Sequence, residues 1–372
     1  MRMIFYHPWP IQENGTFASS IRPYKMLSAF KKIGIEVYEV TGYAKERKEK
    51  IQNVKKQVQK GVKFDFTYGE NTTLPLLLNE KSHYPTHPLM DYMFFRWLKD
   101  QQIPFGLFYR DIYWRFPEFR KKRPIHKWAI PLPFHYLDIE ILRKMATRLF
   151  LPSQKMSEFL PGNWDPSKFV PLPPGCEEGT YRKSRQQGQT LRFFYVGGVT
   201  PPNYDLSPML QYFSKTEQDV YLTICCREKE WNKVQSAKVY RDYSLDRIAI
   251  CHKSGDSLKP FWKKADLFLA LWGDISYRDF AMPFKIFEAV GYGMPIITTL
   301  GTAAGEFVAE NGFGWVIEPR SDALSELVQM LKQNPELIEK KREAILAKRP
   351  YHTWEARARQ VIEALCRKVA EL

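Results

Sequence analysis

The 372 residues are 44% hydrophobic and 15% aromatic, which excludes a disordered chain and leaves material for two packed domains. The net charge of +15 is uneven: residues 1–172 hold 28 Lys+Arg against 16 Asp+Glu, a net of +12, and residues 173–372 hold 28 against 25, a net of +3. The first half therefore calls for an anionic partner, such as a membrane face, a phosphorylated lipid, an acidic glycan or nucleic acid. The five cysteines have no C-x-x-C pairing and no zinc spacing, so free thiols in a reducing compartment are expected.

The opening "MRMIFYHPWP" reads as a first strand rather than a signal peptide. No run approaches the length of a membrane span. A cytosolic protein is expected, with a place at the inner face of the membrane left open. A polar loop with Gly15 leads into a helix over about 20–33, then strand "IEVYEV", a charged helix over about 44–60, and "KFDFTY". A helix over about 87–100 precedes "FGLFYRDI", and "RLFLPS" and "KFVPLP" follow. Strands separated by helix-length crossovers predict a parallel sheet.

The polar, basic stretch "LPPGCEEGTYRKSRQQGQT" reads as a linker, after which the pattern restarts. "RFFYVGG", "VYLTICC", "RIAICH", "ADLFLALW", "MPIITT" and "GWVIEP" alternate with helical segments, and the end is helical. Two tandem Rossmann-like α/β domains are predicted: 1–172, 173–350, and a closing helix over 351–372. Ligands in such sheets sit at the carboxyl ends of the strands, so a cleft shared by two facing domains is the expected site.

"MPFKIFEAVGYGMPIITT", residues 282–299, reads as a short helix, a glycine turn and a strand. Lys285 and Glu288 are three apart and share one helix face. A helix N-terminus offers unpaired N–H groups to an anion, Lys285 adds a charge, and Glu288 can accept from paired hydroxyls. A phosphate beside a ribose diol asks for this set. A plain surface ion pair, contributing ~0.3 kcal/mol, is the competing reading.

The segment resembles the P-x-K-x-x-E-x-x-x-x-G-x-P signature of GT-B glycosyltransferases, particularly glycosyltransferase family 4. "NGTFASSIRPYKMLSAFKKIGIEVYEV", "VPLPPGCEE", "FFYVGGV" and "TWEARARQVIEAL" are similar to that family's opening loop, domain crossing, donor-domain glycine turn and closing helix, in order. The resemblance implies a GT-B fold whose last helix crosses back to the first domain. It implies transfer of a sugar, as in a hexosyltransferase, from a UDP- or GDP-sugar to a hydroxyl of a glycan or lipid-linked acceptor, with retention of configuration. By position, Glu288 would bind ribose and Lys285 the diphosphate. Gly15, Gly197 and Gly198 would let backbone approach the diphosphate, and Thr298, with Thr299, would touch sugar or phosphate.

Two departures stand out. Phe280 occupies the place of a second family Glu, beside Asp279, and "VTPPNYDL" after the glycine turn lacks the usual cation. Arg227 and Lys253, at neighbouring strand ends, are candidates to replace it. Asp111 in "YRDIYWRFPE" stands where the family has a His-Asp pair, with Arg110 in place of His. Asp111 is read either as a catalytic residue orienting the acceptor hydroxyl or as the cap of the following helix. Arg110 and Arg115 could bind an acceptor phosphate, and His7 is a minor candidate. With no D-x-D pair and only scattered histidines, no metal ligand is assigned and metal-independent chemistry is expected. "FRKKRPIHKWAIPLPFHYLDIEILRKM" has the composition of a segment lying on an anionic membrane. A catalytically inactive scaffold subunit, and a nucleic-acid-binding protein, are the rival readings. The latter lacks a basic-aromatic module.

Overall fold

Among the described residues, short runs rich in apolar side chains become the strands of two parallel sheets of six, with the inner strands buried and the edge strands partly exposed. The computed structural model describes residues 1–13, 15, 18–121, 124–180, 188–273 and 276–366. The chain divides into two units, Met1–Pro174 with Trp354–Leu372, and Gly175–Thr353.

In the first unit, β1 (Arg2–His7), β2 (Glu36–Thr41), β3 (Phe66–Glu70), β4 (Phe105–Phe108), β5 (Arg148–Leu151) and β6 (Phe169–Pro171) lie in the order β2-β1-β3-β4-β5-β6. Their crossovers carry α1 (Ala18–Lys32), α2 (Ala44–Gln59), α3 (Met90–Asp100), then α4 (Pro117–Lys121), α5 (His126–Ala129) and α6 (Pro131–Met145). The expected strand "FGLFYRDI" is shorter than its sequence suggests. It stops at Phe108, because the Arg110 N–H turns to Asn71 Oδ1 at 2.9 Å and the chain leaves the ladder.

In the second unit, β7 (Leu191–Val196), β8 (Val220–Cys225), β9 (Ile248–Cys251), β10 (Leu267–Ala270), β11 (Ile296–Thr299) and β12 (Gly314–Ile317) lie in the order β12-β11-β10-β7-β8-β9. Helices α7 (Ser207–Lys215), α8 (Glu228–Ser236), α9 (Lys259–Lys264), α10 (Phe284–Gly291), α11 (Ala303–Asn311), α12 (Ser321–Gln333) and α13 (Glu336–Lys348) accompany them. The five cysteines are free thiols. Burial pushes Cys226 and Cys251 up to about 12, so both stay protonated and unreactive at neutral pH.

The closing helix α14 (Trp354–Cys366) packs against α1, β3 and β4 of the first unit. Gly106 in β4 makes this approach possible. A Cβ there would stand 2.4 Å from the Phe150 ring and 3.1 Å from a methyl of Leu365.

One buried carboxyl ties the first unit's stability to pH. Asp138 on α6 accepts the Leu76 N–H at 2.8 Å and the Tyr92 hydroxyl at 2.9 Å. Burial pushes its pKa up to about 7, the Leu76 and Tyr92 bonds oppose the rise, and the Asp91 charge adds to it. Between about pH 4 and 7 the folded chain holds one proton more at this site than the unfolded chain. Asp138 therefore contributes stability below about pH 4 that is lost as pH rises through 7. Asp138→Asn removes the linkage while keeping both hydrogen bonds possible. Relative to the parent, the variant is expected to gain stability steadily from pH 5 to 7 and to level off above. Urea midpoints of both proteins at pH 5, 6, 7 and 8 check this, and a constant difference would refute it.

Candidate functional site

Strand order marks where each unit can bind a ligand. A doubly wound sheet opens a crevice at the carboxyl ends of the two neighbouring strands where the winding reverses. In the second unit these are β7 and β10, and in the first β1 and β3.

At the β7 end, Gly197 and Gly198 follow the strand directly. A Cβ on Gly198 would meet the Tyr204 ring at 2.4 Å, and one on Gly197 the Tyr195 hydroxyl at 2.9 Å. Both glycines are thus needed for aromatic rings of their own unit to close over the turn. The Gly197 N–H donates to Cys225 O at 3.0 Å. At the β10 end, Trp272 donates its N–H to Thr299 Oγ1 at 3.2 Å and its indole N–H to the Tyr195 hydroxyl at 3.1 Å. The Tyr195 hydroxyl in turn donates to the Gly198 carbonyl.

Helix α10 starts at Phe284, and Pro283 before it caps the helix without a side-chain bond. Its apolar positions Ile286, Phe287, Ala289 and Val290 are buried, which leaves Lys285 and Glu288 on the open face. Lys285 Nζ contacts Glu288 Oε1 at 2.7 Å and Oε2 at 2.8 Å, with side chains 30% and 36% exposed. The turn after the helix needs both of its glycines. Gly293 has φ +61°, and a Cβ on Gly291 would lie 2.2 Å from the Glu177 carbonyl.

Thr298, expected from the sequence to touch sugar or phosphate, lies at the end of β11. Thr298 is wholly buried, and its hydroxyl donates to Ala270 O at 3.3 Å. The period-two alternation of β11 points it into the sheet, and its neighbour Thr299 instead clamps Trp272. Phe280 is buried, and Asp279 supplies its carbonyl to the Ala303 N–H at the start of α11. Arg227 pairs with Glu230 at 3.1 Å and Lys253 is exposed, at the ends of β8 and β9. No sequence motif singles out Arg278, which is buried with its guanidinium carbon 4.3 Å from the Trp272 ring centre and 5.0 Å from that of Tyr204.

In the first unit, His7 ends β1 and Glu70 ends β3. The His7 Nδ1 meets the Glu70 carbonyl at 2.9 Å, which assigns the proton to Nδ1. Burial lowers the His7 pKa to about 3, so the ring is neutral. The Glu70 carboxylate takes Arg22 at 3.2 Å and Arg110 at 3.3 Å. Asp111 is half-buried beside them, and its Oδ1 accepts the Tyr113 N–H at 2.9 Å, opening the short turn Tyr113–Arg115. The bond spans two residues, as in an Asx-turn, and the N-cap of the short turn itself is Ile112, which makes no side-chain bond. Gly15 packs against the first turn of α1, where a Cβ would meet Ser20 Oγ at 2.3 Å. Among the described residues, no group of three or more His, Cys, Asp or Glu side chains is placed to hold a metal ion.

Residues 190–334 match the family model described as Glycosyl transferases group 1. Those residues form a glycosyltransferase domain. No curated protein matches it. Solved structures resemble it along almost the whole length. Sucrose-phosphate synthase from Thermosynechococcus elongatus is 13% identical over 97% of each chain, with a TM-score of 0.64. Anabaena Alr3699/HepE in complex with UDP is 13% identical over 98% of this chain and 99% of that one, at 0.63. WaaG, a glycosyltransferase involved in lipopolysaccharide biosynthesis, is 12% identical over 99% and 100%, at 0.57. At these identities the likeness shows the fold, which is GT-B with two Rossmann-like domains. The matched residues run from β7 through α12, and with them come both glycines, Lys285 and Glu288.

Proposed function

We propose that this glycosyltransferase moves a hexose from a nucleotide sugar to a hydroxyl of a glycan or lipid-linked saccharide, with retention and without a metal ion. The observation that carries the reading is the Lys285–Glu288 pair on the open face of α10, inside the matched residues and in the same unit as the β7–β10 strand ends. Donor binding exchanges that pair for better partners: the Glu288 carboxylate accepts from the ribose hydroxyls, and the freed Lys285 ammonium meets the diphosphate. The N-terminal amides of α10 face developing negative charge with their dipole. As the anomeric bond breaks, charge grows on the leaving diphosphate, and fixed cations aimed at it lower the barrier. The Gly198 amide adds a donor from the β7 turn. The Anabaena protein above is a complex with UDP, which supports a nucleoside diphosphate as leaving group here.

The first unit receives the acceptor. Asp111 orients the acceptor hydroxyl, and Arg110, held by Glu70, stands beside it to meet an acceptor phosphate. Catalysis then rests on positioning the hydroxyl against the anomeric carbon. An inactive scaffold is the second reading, favoured by Phe280, an apolar buried residue where the resembling family has a carboxylate.

The test is transfer from UDP- and GDP-hexoses to short lipid-linked and free saccharides, with products read by mass spectrometry. Turnover is expected and is expected to persist in EDTA. Loss in EDTA that manganese or magnesium restores would overturn the metal-free chemistry, and donor binding without any transfer would favour the scaffold.

The basic segment before α6 is proposed to rest on an anionic membrane. Ile125, Ile130, Tyr136 and Leu137 are exposed there, next to exposed Lys127. Lys122 and Arg123 lie outside the described residues. Arg120 is half-buried and donates to Trp114 O at 3.0 Å, with Trp128 5.7 Å from its guanidinium carbon. Among the described residues no helix is long and apolar enough to cross a membrane. Each basic residue near an anionic surface contributes about 1 kcal/mol, screened beyond ~8 Å at physiological salt. Neutralising Lys121, Lys122, Arg123 and Lys127 is expected to release the protein from anionic vesicles in a flotation assay while nucleotide binding stays intact. Equal flotation at low salt would show that this segment is not the contact.

A further inference from the structure

Arg278 is a buried cation of the second unit. It is 8% exposed, and its Nε has no hydrogen-bond partner. Among the described residues no carboxylate lies within ion-pair distance of it. Asp205 attracts it at longer range, but that carboxylate already accepts the Ser207 N–H at 3.0 Å and the Ser207 hydroxyl at 2.6 Å. Burial lowers the Arg278 pKa, and Tyr195, Tyr204 and Tyr277 partly offset the effect. An arginine nevertheless stays charged at neutral pH. What holds it is aromatic: Trp272 from the β10 end and Tyr204 from the loop after β7. Cation–π contacts compensate part of the lost hydration and leave the N–H donors of the guanidinium unused.

The place matters as much as the charge. Trp272 and Tyr204 belong to the two strand ends where the winding of the second sheet reverses. The Trp272 indole is fixed by Tyr195, whose hydroxyl also holds the Gly198 carbonyl, and the Tyr204 ring lies against Gly198. Arg278 thus lies over two rings, one of which, Tyr204, covers the glycine turn. The loop after that turn, "VTPPNYDL", supplies no cation.

We infer that Arg278 is the anion receptor of the second unit, taking an oxyanion of the donor: the diphosphate of the nucleotide or a carboxylate carried by the transferred sugar. This rests on the donor site proposed above. A planar guanidinium with free N–H donors suits either bidentate oxyanion, and its burial strengthens the interaction by excluding water.

Titration calorimetry on the full chain tests it, with Arg278→Gln and Arg278→Lys compared to the parent. The probes are UDP and GDP, their nucleosides, and the pair UDP-glucose and UDP-glucuronate. If the diphosphate is the source, R278Q weakens UDP or GDP at least tenfold and leaves uridine and guanosine unchanged. If a sugar carboxylate is the source, R278Q leaves UDP unchanged and abolishes a parental preference for UDP-glucuronate over UDP-glucose. R278K, which keeps the charge but not the planar fork, falls between parent and R278Q, and it carries the test alone if circular dichroism shows R278Q unfolded. Parental affinity for every probe in a folded variant overturns the inference. A parent that binds no nucleotide overturns the donor-site reading itself.

Discussion

Glu70→Ala is expected to destabilise the first unit by about 3–5 kcal/mol, the range for leaving a buried charge without its partner. Glu70 is fully buried at the end of β3, with Arg22 at 3.2 Å on one oxygen and Arg110 at 3.3 Å on the other. The Tyr68 hydroxyl donates to the same carboxylate at 2.9 Å. One anion thus serves two guanidiniums, and its removal leaves the buried Arg22 without this charge. Arg22 cannot escape to water. It is 1% exposed, its guanidinium carbon sits 3.6 Å from the Phe108 ring centre, and its Nη2 donates to Leu172 O at 3.1 Å. Arg110 is nearer the edge, so its release would also disturb the surroundings of Asp111. Urea unfolding followed by far-UV circular dichroism measures the loss. Glu70→Gln, which keeps an acceptor and the volume, is expected to lose less. A loss below about 1 kcal/mol for the alanine variant would mean that water or another acceptor reaches the arginines.

Glu288→Ala is expected to weaken nucleoside diphosphate binding by about 1.5–3 kcal/mol, the contribution of hydrogen bonds to a charged group, or roughly 10- to 150-fold in Kd. The fold should not notice. Glu288 is 36% exposed, its ion pair with Lys285 is an i,i+3 contact worth ~0.2–0.5 kcal/mol, and the buried face of α10 is untouched. Separating the two effects is the purpose of the variant: affinity falls while the unfolding midpoint stays. Glu288→Gln retains one acceptor oxygen and should fall between. Unchanged affinity for UDP and GDP in a folded Glu288→Ala protein would remove the ribose role and leave the pair as a surface salt bridge.

Much of this architecture is written locally. The inner strands were legible from their own apolar runs, because a strand buried on both faces needs little beyond its own residues to declare itself, whereas the edge strands β2, β6, β9 and β12 are only partly buried. β4 was overread at its end: "YRDI" carries the charged Arg110 and Asp111, and the side chain of Asn71, distant in sequence, draws the Arg110 amide out of the ladder. The α10 motif was equally local, since a three-residue spacing on a helix fixes a shared face. Strand order was not local. Nothing in "RFFYVGG" or "ADLFLALW" says that β7 and β10 are neighbours, and that adjacency is what marks the crevice. The same holds for burial of charge. Glu70 in "FTYGE" and Arg278 in "SYRDF" read as ordinary polar residues near strand or loop ends. Arg22 and Arg110 for the one, Trp272 and Tyr204 for the other, come from other segments of the chain. Thr298 shows the same limit: its place at a strand end is visible in the sequence, and its full burial comes from the strands paired on either side. Periodicity and propensity act over a few residues and are carried by the sequence itself. The environment of a charge is set by contacts between segments far apart in the chain, and only the tertiary structure decides it.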